Sequence, residues 1–205
     1  MSVQKWRFME TLTNALITPV YNSLLVAGDA AADYFGKLQG LLSVRKLRAV
    51  LTANVTGGAS TTVDFNLMTF TIPAGQQLPG DCYRFEIRGT WNHPNSDGST
   101  ISFWVKFGNT KIATVTLTPG TAVTSRPFHF KGLIVCQTIG SAGTVAVGCD
   151  ARINISPTAS IDADATPGVG TVDNTGSYNI VLGAKFSNSN ASNLVTAIVG
   201  EIYQN

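Results

Sequence analysis

The chain has 205 residues, 44% of them hydrophobic and only 13% charged, with a net charge of +2. Soluble domains usually carry about a quarter charged residues, so the polar surface here must be built largely from neutral Ser, Thr, Asn and Gly. No whole-chain field for nucleic acid exists: the first fifty residues carry +3, the remainder −1, and Arg45-Lys46-Leu47-Arg48 is too short a run for a basic RNA-binding arm.

In chain order, Trp6, Met9, Leu12 and Leu16 fall at helical spacing, with Phe8 widening the stripe, and Pro19 ends that helix. A second helical candidate opens at Asp29 and is weakened by Gly36 and Gly40. Residues 1–44 are too few to build their own core. They read as an anchoring or assembly segment whose interface is Trp6, Phe8, Met9, Leu12 and Leu16. Packing of that stripe on the protein's own β domain stays open as the alternative. The N-terminus lacks a signal peptide's apolar core, and the longest apolar run, Leu24 to Ala27, is far too short to insert in a membrane.

From Arg45 the period changes to two. Strands are expected over residues 45–54, 61–72, 82–91, 100–107, 110–117, 128–137, 144–155, 178–186 and 194–203. Tyr83, Phe85, Ile87 and Trp91 alternate with Arg84, Glu86 and Arg88, and Ile101, Phe103, Val105 and Phe107 take every second place. Gly108-Asn109 suits a two-residue hairpin turn, because Gly accepts the positive φ of a II′ turn. Ser156 to Ser177 reads as a long loop, of the kind that is uncommon unless exposed or functional. Eight or nine strands without intervening helices predict an all-β antiparallel sandwich over 45–205, of jelly-roll type, with a short, partly helical segment before it.

Constellations for chemistry are sparse. His93 falls in the loop 92–99 and His129 at an outward strand position, and neither joins a metal-ligand cluster. There is no Gly-x-Ser-x-Gly elbow and no Gly-rich phosphate loop before a helix. Asp162 and Asp164 form a carboxylate pair, but in a loop expected to be solvated rather than held at a glycosidase's fixed separation. Cys82, Cys136 and Cys149 share no metal spacing and behave as buried small hydrophobes, with a Cys136–Cys149 bridge left open. Neither an enzyme nor a cofactor is expected. Trp104, out of phase with Phe103 and Val105, points away from the core and reads as an interface anchor, with sugar stacking by Trp91 or Trp104 as the second reading.

The succession "CYRFEIRGTW", "TISFWVKFGNTKIATVTL", "PFHFKGLIVCQTIGSAGTVAVGC" and "GSYNIVLGAKFSNSNASNLVTAIVGEIYQ" resembles jelly-roll virion proteins of tailed bacteriophages over roughly residues 60–205. The resemblance implies a structural role as head decoration, spike or fibre, with other virion subunits as partners and a homotrimer as the assembly. It implies location in the virion after assembly in the host cytoplasm. The alternative it leaves is a receptor- or glycan-binding domain of a tail fibre. No site residue carries over, because the shared pattern consists of core positions and turns.

Overall fold

The computed structural model describes residues 46–94 and 98–204. The readings placed on residues 1–44, including the stripe Trp6, Phe8, Met9, Leu12 and Leu16, lie outside the described residues.

The described residues are all-β. In chain order the strands are β1 (Lys46–Val50), β2 (Val55–Gly57), β3 (Phe65–Ile72), β4 (Cys82–His93), β5 (Ile101–Phe107) and β6 (Thr110–Leu117). β7 (Val123–Thr138), β8 (Gly143–Asn154), β9 (Ser160–Asp164), β10 (Gly168–Val172), β11 (Tyr178–Phe186) and β12 (Leu194–Gln204) follow. They form two antiparallel sheets. The larger, sheet A, has the order β1-β12-β4-β7-β8-β10, with β2 on β12 and β9 on β8. The smaller, sheet B, has the order β3-β11-β5-β6.

The alternation seen in the sequence selects the inner faces. Tyr83, Phe85, Ile87 and Trp91 of β4 and Phe128, Phe130 and Ile134 of β7 are buried, and so are Ile101, Phe103, Val105 and Phe107 of β5. Rings interlock between the sheets: Phe103 of sheet B lies 5.2 Å from Phe128 and 5.3 Å from Phe130 of sheet A, centroid to centroid. One core thus fills the space between two facing sheets, the arrangement of a sandwich. Gly108, with φ of 54°, makes the two-residue turn that joins Phe107 to its partner Thr110.

Several expectations are corrected. The first expected strand, over 45–54, is shorter: β1 ends at Val50, and β2, which was not expected, follows it and pairs separately with β12. β7 starts earlier than expected and runs through Pro127. There it pairs only with Thr90 of β4, while pairing to β8 begins at Phe128, so the missing N–H faces no partner strand. The expected loop 156–177 instead contains β9 and β10, which occupy successive stretches of β8's free edge. β10 also lies against β6. A Cβ on Gly168 or Gly170 would collide with Ile112, so the Gly-Val-Gly sequence permits close approach and helps cover that partly buried isoleucine. Cys136 stands opposite Val145 while Cys149 stands opposite Gly132, so the two are offset along the strand pair and remain free thiols.

Trp104 does leave the outer face of sheet B, as its phase requires, but it has no exposed surface. Its indole lies over Gly183, its cross-strand partner, where a Cβ would strike the ring. The Lys106 and Lys111 ammonium groups sit 4.3 and 5.2 Å from the ring centroid, both within 3.1 Å of Asp64. Burial pushes the Asp64 carboxyl up, but hydrogen bonds to the two lysines outweigh it and hold the group below its ordinary value. Trp104 is therefore covered by residues of its own chain, and its reading as an exposed interface anchor or sugar platform is withdrawn. Trp91 is likewise buried, with Nε1 donating to the Asn154 carbonyl at 3.1 Å.

Candidate functional site

The outer face of sheet A carries the polar phase of four long strands, and cross-strand register sorts it into rows. Glu201, Glu86, Lys131, Asp150 and Asp164 are successive neighbours across β12, β4, β7, β8 and β9. Arg88, His129, Arg152 and Asp162 form the next row. On the other side of the acidic row, Tyr203, Arg84, Leu133 and Gly148 form a third. One row is chiefly anionic, one chiefly cationic, and the third mixes an aromatic ring, a guanidinium, an aliphatic side chain and a gap.

That gap creates the site. An added Cβ on Gly148 would meet no atom within 4 Å, so the strand opens a hole in the outer face there. Gly132, next to it on β7, faces inward. A Cβ on it would lie 2.5 Å from the Gly148 carbonyl oxygen, 2.6 Å from Phe85 Cζ and 2.8 Å from Cys149 Cβ. The absence of a side chain at 132 lets the Phe85 ring fill the core directly beneath the surface. The result is a depression of about 570 Å3, floored by Gly132 and Gly148 and walled by Arg84, Glu86, Lys131, Asp150, Asp164 and Tyr203.

The wall side chains are loosely paired. Lys131 Nζ lies 3.7 Å from Asp150 Oδ2, and the Tyr203 hydroxyl donates to Glu201 at 2.5 Å. Arg88 pairs with Glu86, whose Oε1 also lies 3.0 Å from His129 Nε2, a proximity out of line for a hydrogen bond. Exposed pairs of this kind contribute little to stability, about 0–1 kcal/mol each. They leave donors and acceptors that can be redirected to a ligand at low cost. Asp150 and Asp164 face one another across β8 and β9, and burial together with these two carboxylates pushes the Cys149 thiol beneath them up to about 12. Cys149 is consequently inert as a nucleophile.

Asp162 and Asp164, expected in a solvated loop, stand on β9. Asp164 reaches the depression, whereas Asp162 lies 3.5 Å from Arg152 in the neighbouring row. His93, also expected in a loop, ends β4 and is 1% exposed. Among the described residues no group of three or more His, Cys, Asp or Glu is placed to hold a metal. The sequence reading did not single out Arg84, Glu86, Lys131, Asp150 and Tyr203 as a site. Their only signal was outward phase, which every solvated strand face shares.

No family model matches the chain, and no curated protein matches it. Among solved structures it is similar to the CBM2 module of an evolved Dit of Lactobacillus casei BL23 phage J-1, at 9% identity and a TM-score of 0.33, covering 78% of this chain and 95% of that one. It is also similar to the alginate lyase from Klebsiella pneumoniae, at 7% identity and a TM-score of 0.24, covering 62% of this chain and 59% of that one. At TM-scores this low the likeness establishes neither a common fold nor a common ligand. The functional reading rests instead on the strand order and the surface chemistry.

Proposed function

We propose that this chain is a jelly-roll subunit of a phage virion and that it works by recognition, with the depression on sheet A as a binding surface for a saccharide-class ligand. The strand order supports the jelly-roll part. With β2, β8, β9 and β10 set aside, the two sheets read β1-β12-β4-β7 and β3-β11-β5-β6, early and late strands interleaved as two Greek keys would leave them. The virion part is supported by the sequence resemblance. In this reading residues 1–44 attach the protein to neighbouring subunits, and a homotrimer is the assembled form.

The observation that carries recognition is the glycine-floored depression itself. Its carboxylates accept hydrogen bonds from sugar hydroxyls, Arg84 and Lys131 donate to ring and hydroxyl oxygens, and Tyr203 with Leu133 offers an apolar edge to the CH face of a pyranose. Charge on both sides of a small hollow suits a polyhydroxylated ligand better than a flat protein surface.

The test is a glycan array probed with the full chain, followed by titration of any hit against Gly148→Phe. Position 148 has open space in front of it, so a phenyl group there fills the hollow without disturbing the core. Loss of at least about tenfold in affinity, on the scale of one blocked contact region, is expected. Binding unchanged by Gly148→Phe would place the ligand elsewhere, and silence across the array would remove the recognition reading.

A further inference from the structure

The ion pairs around the depression on sheet A leave two charges over, one of each sign. Arg88 pairs with Glu86, Lys131 Nζ lies 3.7 Å from Asp150 Oδ2, and Arg152 Nε lies 3.5 Å from Asp162 Oδ1. Glu201 accepts the Tyr203 hydroxyl at 2.5 Å. The remaining charged side chains of the wall are Arg84 and Asp164. Both are exposed, and among the described residues neither side chain has a hydrogen-bond or salt-bridge partner.

Register fixes how far apart they stand. Arg84 on β4 is opposite Leu133 of β7, which is opposite Gly148 of β8. Asp164 on β9 is opposite Asp150 of β8, in the row of Lys131 and Glu86. The two are separated by three strand spacings across the sheet and by the Glu86–Arg84 step along it, about 16 Å at the backbone. They cannot neutralise one another directly. The glycine floor lies between them, open above Gly148. A ligand that touches both must be longer than one sugar ring.

We infer that the depression selects a zwitterionic oligosaccharide, with an ammonium group on one residue and a carboxylate or phosphate on a neighbouring one. The inference rests on the recognition reading and adds the charge pattern of its ligand. Arg84 presents a planar fork of donors that fits a carboxylate or phosphate through two parallel hydrogen bonds. The ammonium, with three donors and no acceptor, sits between Asp164 and Asp150, which face one another across β8 and β9. Lys131 competes weakly for that place, since its 3.7 Å separation from Asp150 exceeds a hydrogen bond. A purely anionic saccharide meets Arg84 but runs into two carboxylates. A purely cationic one meets the carboxylates but runs into the guanidinium. The site therefore both attracts the zwitterion and repels each single-charge competitor.

The experiment screens the full chain on an array of saccharides grouped by charge: neutral, amine only, uronate or phosphate only, amine with uronate, and amine with phosphate. One or both of the last two groups should bind at least about tenfold tighter than the others, the worth of one charge-assisted hydrogen bond. The two arms tell a carboxylate ligand from a phosphate one. Arg84→Gln should abolish the advantage of the zwitterion over amine-only saccharides. Asp164→Asn should reduce its advantage over anion-only ones. Both positions are exposed on strands, so the fold should survive either change. A merely structural role for these residues would weaken every group alike and leave the ranking intact, which overturns the inference. Neutral saccharides binding as tightly as zwitterions, with binding lost in Gly148→Phe, also overturns it but leaves recognition at the depression standing. Silence across the array removes both.

Discussion

Phe103→Ala removes the ring on which the two sheets meet. Phe103 has no exposed surface, and its stacked partners Phe128 and Phe130 both belong to the opposite sheet. Truncation therefore opens a void between the layers. Filling it would require the sheets to approach one another, which the equally buried Ile101, Val105 and Phe107 on the same strand oppose. A site that cannot collapse sits at the upper end of the usual Phe→Ala cost, about 4–5 kcal/mol. Against a typical total of about 5–15 kcal/mol this is a large fraction. At about 2–4 °C per kcal/mol for a domain of this size it corresponds to a fall in Tm of about 8–20 °C. Urea unfolding followed by tryptophan fluorescence measures it, since Trp91 and Trp104 are both buried, and the m-value should stay unchanged. Phe103→Leu, which keeps most of the volume, should cost under about 1.5 kcal/mol. A loss below about 1.5 kcal/mol for the alanine variant, at unchanged m, would refute a core shared by the two sheets at this ring.

Two further outcomes follow from the glycine floor and from the buried acids. Gly132→Ala should destabilise by about 1–3 kcal/mol, because its Cβ meets backbone and ring, whereas Gly148→Ala should stay within about ±0.5 kcal/mol; equal effects in a paired denaturation series would disprove the assigned faces. Burial, with a smaller contribution from Asp81, pushes Tyr83 from 10.0 up to about 12; burial, with Asp150 and Asp164, takes Cys149 from 9.0 to about 12; burial raises Tyr178 as well. These groups ionise more readily when unfolded, so the stability they hold is complete below the unfolded values and drains away as pH rises from about 9 to about 12. Melting temperatures should decline across that window, with tyrosinate absorbance from Tyr83 and Tyr178 appearing only on unfolding; a flat profile would sink the assignment.

Period-two alternation is local information, and what it determines is local. It placed β5, β6 and β11 within a residue of their ends and chose the inward faces of β4 and β5, because burying one side of a strand leaves a period that no other arrangement leaves. Gly108 announced its own turn for the same reason, a backbone angle that other residues avoid. Pairing partners are not local. The 156–177 stretch carries weak alternation and became β9 and β10 only because β8 offers an open edge, and Gly168 and Gly170 gain meaning only from Ile112 beneath them. Trp104 shows the limit most plainly: its phase pointed it outward correctly, but phase says nothing about Gly183 below the ring or the lysines above it. The depression on sheet A joins residues from β4, β7, β8, β9 and β12, which lie far apart in the chain. Side-chain chemistry was legible from the start at each of these positions. Which groups stand within 3 Å of one another is set by strand order, since adjacency across a sheet depends on closure of the whole chain and on no short stretch of it.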